Sequence, residues 1–173
     1  MIQYTMKKLA FAINGRGGAG KDTMINYASD YFKIRNVSSV DKLKELARIG
    51  GWKDEDKQTA KGRQLLVDLK ELFVKFNDLP QVYLLEQFSE FMKSDQEFMF
   101  AHIREPKEIK KFNKATGGKS LLIIRPDLKT TFDIANEKNI TELQYDYTFE
   151  NTGTIEESGQ RFVQLLKDIQ MGL

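Results

Sequence analysis

The sequence predicts an α/β protein of three layers, a five-stranded parallel sheet with helices on both faces. Three observations carry that reading. Short apolar runs alternate with segments of helical periodicity along the whole chain. Two of the runs, Phe98-Met99-Phe100-Ala101 and Leu121-Leu122-Ile123-Ile124, show no polar alternation, as expected of strands covered on both faces. The length, 173 residues, suits one domain over 1–173 that buries about two thirds of its unfolded surface.

The elements follow in order. Lys8–Asn14 reads as the first buried strand, closed by the run Gly15-Arg16-Gly17-Gly18-Ala19-Gly20. A helix to about Lys33 carries Met24, Tyr27, Ala28, Tyr31 and Phe32 on one face. Ile34–Val40 is a short second strand. Asp41 is placed to cap a helix with Leu43, Leu46 and Ala47, which Gly50-Gly51 ends. The charged stretch 52–61 reads as a loop. Amphipathic helices follow over about Ala60–Phe76 and Gln81–Met92. Glu97–Ile103 is the third strand. Pro106 opens a helix with Ile109 and Phe112, and Gly117-Gly118 stops it. Ser120–Ile124 is the fourth strand, 125–143 lacks a sustained period and reads as a mobile segment, and Gln144–Glu150 is the fifth strand. Thr154 and Glu157 form a capping box for the last helix, whose core face holds Ile155, Phe162, Leu165, Leu166 and Ile169.

Composition removes several chemistries. Without cysteine there is no disulfide framework, thiolate zinc site, iron–sulfur cluster or cysteine nucleophile. The single histidine, His102, rules out any site with two imidazole ligands. No apolar run approaches a membrane span, and the segment after Lys7-Lys8 is too short for a signal peptide, so a cytoplasmic protein is expected. The net charge of +2 argues against a nucleic-acid partner. Charge is uneven, however: residues 104–129 hold eight Lys/Arg against three Asp/Glu, while 130–160 hold one Lys against seven Asp/Glu. A local basic segment suits a small polyanion.

The most specific signal is Gly15-Arg16-Gly17-Gly18-Ala19-Gly20-Lys21. It matches G-x-x-x-x-G-K and lies between a strand and a helix, the context in which such a loop cradles phosphates. Glycines let successive N–H groups face one anion, the helix dipole points at the same place, and Lys21 adds a full charge. ATP is the expected ligand. Asp22 stands where Ser or Thr is usual; its carboxylate is either a hard ligand for Mg²⁺ or a helix N-terminal charge. Thr23 can give its hydroxyl to a phosphate oxygen. Arg16 lies in the loop and either reaches the terminal phosphate or is solvated. Arg104 and Arg125 follow predicted central strands on the loop's side of the sheet, so both are candidates for contacts to an acceptor phosphate or the transition state. Arg63 is the best candidate among the basic residues of the segment that would cover an acceptor. Trp52 either stacks on a base or anchors the helices around it. His102 reads as a hydrogen-bonded residue at the site's edge or in the core.

With Asp22-Thr23 after Gly20-Lys21, the chain resembles the phage-type deoxynucleoside monophosphate kinases and their small bacterial relatives among the P-loop kinases. Other stretches are similar in the same order: Gly51-Trp52-Lys53-Asp54 with Lys57, Arg63, Leu66 and Leu69; Ala101-His102-Ile103-Arg104-Glu105-Pro106-Lys107-Glu108; Leu122-Ile123-Ile124-Arg125-Pro126; and Tyr145-Asp146 through Asn151-Thr152-Gly153-Thr154. His102 stands where that family carries Asp. The resemblance implies a P-loop NTPase fold with a helical acceptor-binding insertion over 41–95 and a lid over 125–143. It implies ATP-dependent phosphoryl transfer to a nucleoside monophosphate, with Mg²⁺, with Lys21, Arg104 and Arg125 as catalytic residues, and with Asn151 and Gly153 beside the donor base. It further implies small-molecule nucleotide partners and a monomer or homodimer. A kinase of another small phosphorylated metabolite, such as dephospho-coenzyme A, and a nucleotide-binding protein without turnover are the alternatives. A GTPase switch is disfavoured: the chain has no Asp-x-x-Gly, and Asn113-Lys114-Ala115-Thr116 lacks the carboxylate that reads guanine.

Overall fold

The computed structural model describes residues 7–128, 140 and 142–173. Five strands form one sheet: β1 (Leu9–Asn14), β2 (Ile34–Ser38), β3 (Phe98–His102), β4 (Lys119–Ile124) and β5 (Tyr147–Glu150). Every pairing is parallel, in the order β2-β3-β1-β4-β5. The helices are α1 (Lys21–Ala28), α2 (Asp41–Ile49), α3 (Ala60–Phe76), α4 (Leu79–Lys93), α5 (Pro106–Thr116) and α6 (Ile155–Met171), with a 3₁₀ turn over Asp54–Gln58. The α/β class and the five parallel strands are as expected.

Strand alternation sends two kinds of residue to the two faces. Phe11, Phe98 and Phe100 lie on the face covered by α1 and α6. Their rings stack, with Phe11 and Phe100 centroids 5.5 Å apart, and Phe162 of α6 meets Phe149 edge-on at 5.1 Å. The opposite face presents Ala10, Ala12 and Ala101, which let Leu84 and Phe91 of α4 and Ile109 and Phe112 of α5 come close. On β1, large residues on one side and small ones on the other let the strand sit between two helical layers. α1 also meets α6 closely: a Cβ on Gly159 would enter the Tyr27 ring.

Several boundaries differ from the sequence expectation. α1 stops at Ala28, five residues early, because the Ser29 hydroxyl takes the Asn26 carbonyl at 2.6 Å and the chain turns there. Phe32 then folds its ring onto Phe98, centroids 4.8 Å apart. β5 starts at Tyr147 and not Gln144, since Asp146 turns its carboxylate to the Ser120 N–H and hydroxyl at 2.7 and 2.8 Å. α4 starts at Leu79, with Asp78 at its N-cap and Pro80 in its first turn. Of the expected lid over 125–143, residues 129–139 and 141 lie outside the described residues.

The region between β2 and β3 is helical, and Trp52 pins it. The indole is 5% exposed and donates to the Gly62 carbonyl at 3.2 Å, joining the end of α2 to the start of α3. Gly62 is buried against the Asp56 backbone, leaving no room for a Cβ. Gly to Ala normally stabilises a helix interior by about 1 kcal/mol. Here the sign reverses: Gly62→Ala is expected to lower stability by about 1–3 kcal/mol, read as a fall in urea midpoint. A gain in midpoint contradicts the packing of the 3₁₀ turn on α3.

Candidate functional site

The site lies at the carboxyl edge of the sheet, where β1 feeds the glycine loop. Asn14, the last residue of β1, is 2% exposed and fully engaged. Its Oδ1 accepts from the Gly15 N–H at 2.8 Å, and its Nδ2 donates to the Arg104 carbonyl at 3.2 Å and to the Tyr145 hydroxyl at 2.9 Å. Burial pushes the Tyr145 phenol above its ordinary pKa, and the Asn14 bond opposes that shift. Gly15, at φ 149°, runs so close to β4 that a Cβ would strike the Ile123 carbonyl oxygen. The Ala19 N–H donates to Arg16 O at 3.1 Å, curling the loop, and Gly20, in the left-handed region at φ 88°, starts α1 with no side-chain cap. The first turn of α1 therefore points toward the loop without a side-chain cap from its N-cap residue, which is the arrangement that receives an anion.

Lys21 lies back across this loop, its ammonium donating to Gly15 O at 2.7 Å and Arg16 O at 3.0 Å. Asn151, just past β5, ties the loop from the far side. Its N–H donates to Ile124 O at 2.7 Å, its Nδ2 donates to Ala19 O at 2.9 Å, and its Oδ1 accepts from the Ser158 hydroxyl at 2.7 Å. Beside it opens a cavity of about 180 Å³ lined by Gly20, Thr23, Arg125, Asp127, Gly153 and Ile155, among others. Leu128 reaches back over Gly18, and its N–H donates to the Arg125 carbonyl at 3.1 Å.

The two candidate arginines lie on opposite sides of the loop. Arg125, exposed at the end of β4, borders the cavity with Thr23 and Gly153. Arg104, exposed after β3, is on the other flank of β1. Arg63, exposed on α3, directs its guanidinium to the carbonyls of Lys57 and Gln58 at 3.5 and 3.4 Å. Trp52 is buried as the anchor described above, so its ring offers no open face.

Asp22 meets two residues the glycine motif does not foretell. Its Oδ1 is 3.3 Å from Asn36 Nδ2 on β2 and 3.5 Å from His102 Nε2 at the end of β3, and His102 Nε2 is 2.8 Å from Asn36 Oδ1. The Asp22 side chain is 75% exposed and that of His102 only 17%. Asp22 thus offers an open hard-oxygen donor one residue after Lys21, which fits Mg²⁺ held jointly with phosphates. Among the described residues, no group of three or more His, Cys, Asp and Glu is placed to hold a metal alone, and no helix is long and apolar enough to cross a membrane.

Three residues that shape the site, Asn14, Asn36 and Ser158, stand outside the motifs of the sequence, and Tyr145 lies in one of the stretches that carry the resemblance. Asn14 carried a usable signal, an amide ending an apolar strand directly before glycine. Asn36 interrupts an edge strand and can be read only once β2 is known to lie beside β3.

No family model matches the chain, and no curated protein does. Solved structures do. Dephospho-CoA kinase from Campylobacter jejuni superposes with a TM-score of 0.54 at 18% identity, covering 94% of this chain and 97% of that one. Shikimate kinase from Aquifex aeolicus gives 0.54 at 15%, covering 95% and 100%. Shikimate kinase from Acinetobacter baumannii in complex with shikimate gives 0.53 at 17%, covering 94% and 95%. The chain shares the fold of these kinases. At these identities the likeness establishes the architecture, with the glycine loop after β1.

Burial holds His102 below its ordinary value of 6.5, opposed by Asp22; Lys21 and Lys44 add to the depression and Asp41 opposes it. A base with a depressed folded pKa binds its proton more readily when unfolded, so stability is complete above about pH 6.5 and falls as pH drops through and below it. Thermal midpoints are expected to fall more between about pH 7.5 and about pH 5.5 in the wild type than in His102→Gln. Equal losses in both contradict a buried neutral imidazole.

Proposed function

We propose that this chain is an ATP-dependent kinase that transfers a phosphoryl group to a nucleoside monophosphate, deoxynucleotides included. The observation that carries the reading is the shaped loop at residues 15–21, with Lys21 over it and a cavity at its side. Phosphoryl transfer needs positioning and charge neutralisation more than covalent chemistry. The loop N–H groups and Lys21 seat the β- and γ-phosphates, and Thr23 lies at the edge of the adjoining cavity to meet a phosphate oxygen. Asn151 and Gly153 border the cavity where the donor base would lie. Arg16 is at the mouth of the loop. Mg²⁺, held by Asp22 and the phosphates, would neutralise charge on the transferring group. A phosphate acceptor is already an anion, so it requires cations to hold it in line and no base to remove a proton. Arg104, on the flank of β1 away from the cavity, is suited to that anion, and Arg63 on the helical insertion faces the same task. Arg125 is placed to stabilise the donor side.

A second reading is a kinase of another small acceptor. It is favoured by the neighbours themselves, whose names are dephospho-CoA kinase and shikimate kinase. ADP formation with ATP and Mg²⁺ and a panel of acceptors decides between them. Nucleoside monophosphates are expected to give acceptor-dependent ADP; if only dephospho-coenzyme A or a non-nucleotide does so, the second reading replaces the first.

Two substitution experiments test the roles. Lys21→Ala is expected to cost about 10²-fold or more in turnover, with the circular dichroism spectrum unchanged. Arg104→Ala is expected to raise the acceptor KM by about tenfold, worth about 1.4 kcal/mol, with the ATP KM little changed, and Arg125→Ala is expected to do the reverse. The same shift in both variants contradicts the division of the arginines between the two substrates.

A further inference from the structure

We propose that the outer face of α3 is a dimer surface, on which a second copy of this chain lays its own α3 antiparallel across a two-fold axis.

α3 carries an apolar seam that the fold leaves uncovered. Leu65, Leu69, Leu72 and Phe76 follow one another at spacings of four, three and four residues, the repeat by which two helices interlock. At about 100° per residue they fall within roughly 60° of one another around the helix. Leu65 is 41% exposed, Leu72 60% and Phe76 77%, while Leu69 is half-buried. The Phe76 ring is held edge-on by Phe73, centroids 6.5 Å apart. Gly62, one heptad before Leu69, is covered by the 3₁₀ turn, so the free seam begins at Leu65. Lys70 projects from the other side of the helix, where its ammonium donates to Glu108 of α5 at 2.9 Å. The seam therefore points away from α5. An exposed apolar row with a polar rim marks a protein-binding surface.

The charges choose the occupant and its direction. In an antiparallel pair, Leu65 of one copy meets Phe76 of the other, Leu69 meets Leu72, and symmetry repeats each layer. That register brings Asp68 of each copy beside Lys75 of the other on one flank of the seam, and Leu66 beside Phe73 on the other flank. Both flanks match, one by charge and one by apolar contact. A parallel pair sets Asp68 against Phe73, and Lys75 against a position past the end of α3, so neither charge is answered. Within one chain Asp68 accepts from the Gln64 amide at 2.7 Å, an exposed bond that the pairing can replace.

The free seam is about 16 Å long. Two such faces bury less than the roughly 1,200 Å² at which stable interfaces begin, so the dimer is reversible, with a dissociation constant of about 1–100 µM. Arg63 lies about 160° from Leu65 around the helix and stays outside the contact.

Sedimentation velocity of the full chain from about 1 to about 300 µM tests the pairing. The average mass is expected to rise from 20.0 kDa toward twice that value. Leu72→Glu, at an exposed position, is expected to keep the circular dichroism spectrum and to stay monomeric throughout. Asp68→Lys and Lys75→Asp are each expected to raise the dissociation constant at least about tenfold, and the double exchange to bring it back within about threefold of the wild type. A monomer at every concentration overturns the proposal and leaves the face to a different protein. A dimer that Leu72→Glu does not weaken lies on another surface and overturns it as well. Failure of the double exchange to restore association overturns the antiparallel register.

Discussion

The fold depends on holding a polar, glycine-rich loop in one shape at the edge of an apolar sheet. Backbone amides can receive an anion only if they are already aimed, because an unaimed loop pays the ordering entropy at the moment of binding. Two asparagines do the aiming. Asn14 fixes where the loop leaves β1 by taking the Gly15 N–H, and Asn151 fixes where it enters α1 by bonding the Ala19 carbonyl. Both are amides, which offer a donor and an acceptor from one rigid group and so link several elements at once. Asn14 reaches the Arg104 carbonyl just past β3 and Tyr145; Asn151 reaches β4's last residue and α6. The loop is thereby set by all the central strands, and a change in their spacing changes the shape of the loop.

The core explains why those strands keep their spacing. Phenylalanines of β1 and β3 form a stacked row under α1 and α6, and alanines on the reverse face let α4 and α5 close in. Gly159 lets α6 press against Tyr27 of α1. The helix that presents its N-terminus to the loop is thus clamped by the helix that carries Ser158, the partner of Asn151. Packing on this face and the hydrogen bonds at the loop act on the same pair of helices, and neither positions the loop without the other.

Local signals made most of this legible. The glycine loop, the apolar strands, the capping box at Thr154 and the stops at Gly50 and Gly117 depend on neighbours in sequence, and each appears in place. What was not legible depends on residues far apart. Past the Ser29 turn Phe32 takes its place on Phe98, 66 residues on, in place of a helical face, and β5 is shorter because Asp146 bonds Ser120, 26 residues away. Asn36 and His102 are 66 residues apart and meet only through the β2–β3 pairing. Trp52 could be read as a stacking platform or an anchor from sequence; its burial and its bond to Gly62 give it to the fold.

The strand order also sorts the chemistry. With β1 central, whatever follows β3 lies on one side of the loop and whatever follows β4 and β5 on the other. The cavity bordered by Arg125, Asn151 and Gly153 belongs to the second side, and Arg104, Asp22 and His102 gather toward the first. A transfer between two bound molecules needs this division, since the donor's leaving group and the acceptor's attacking atom must approach one phosphorus from opposite directions. The helical segment between β2 and β3 emerges on the Arg104 side, so in the proposed reaction it would be the part of the chain to cover a second substrate without obstructing the first.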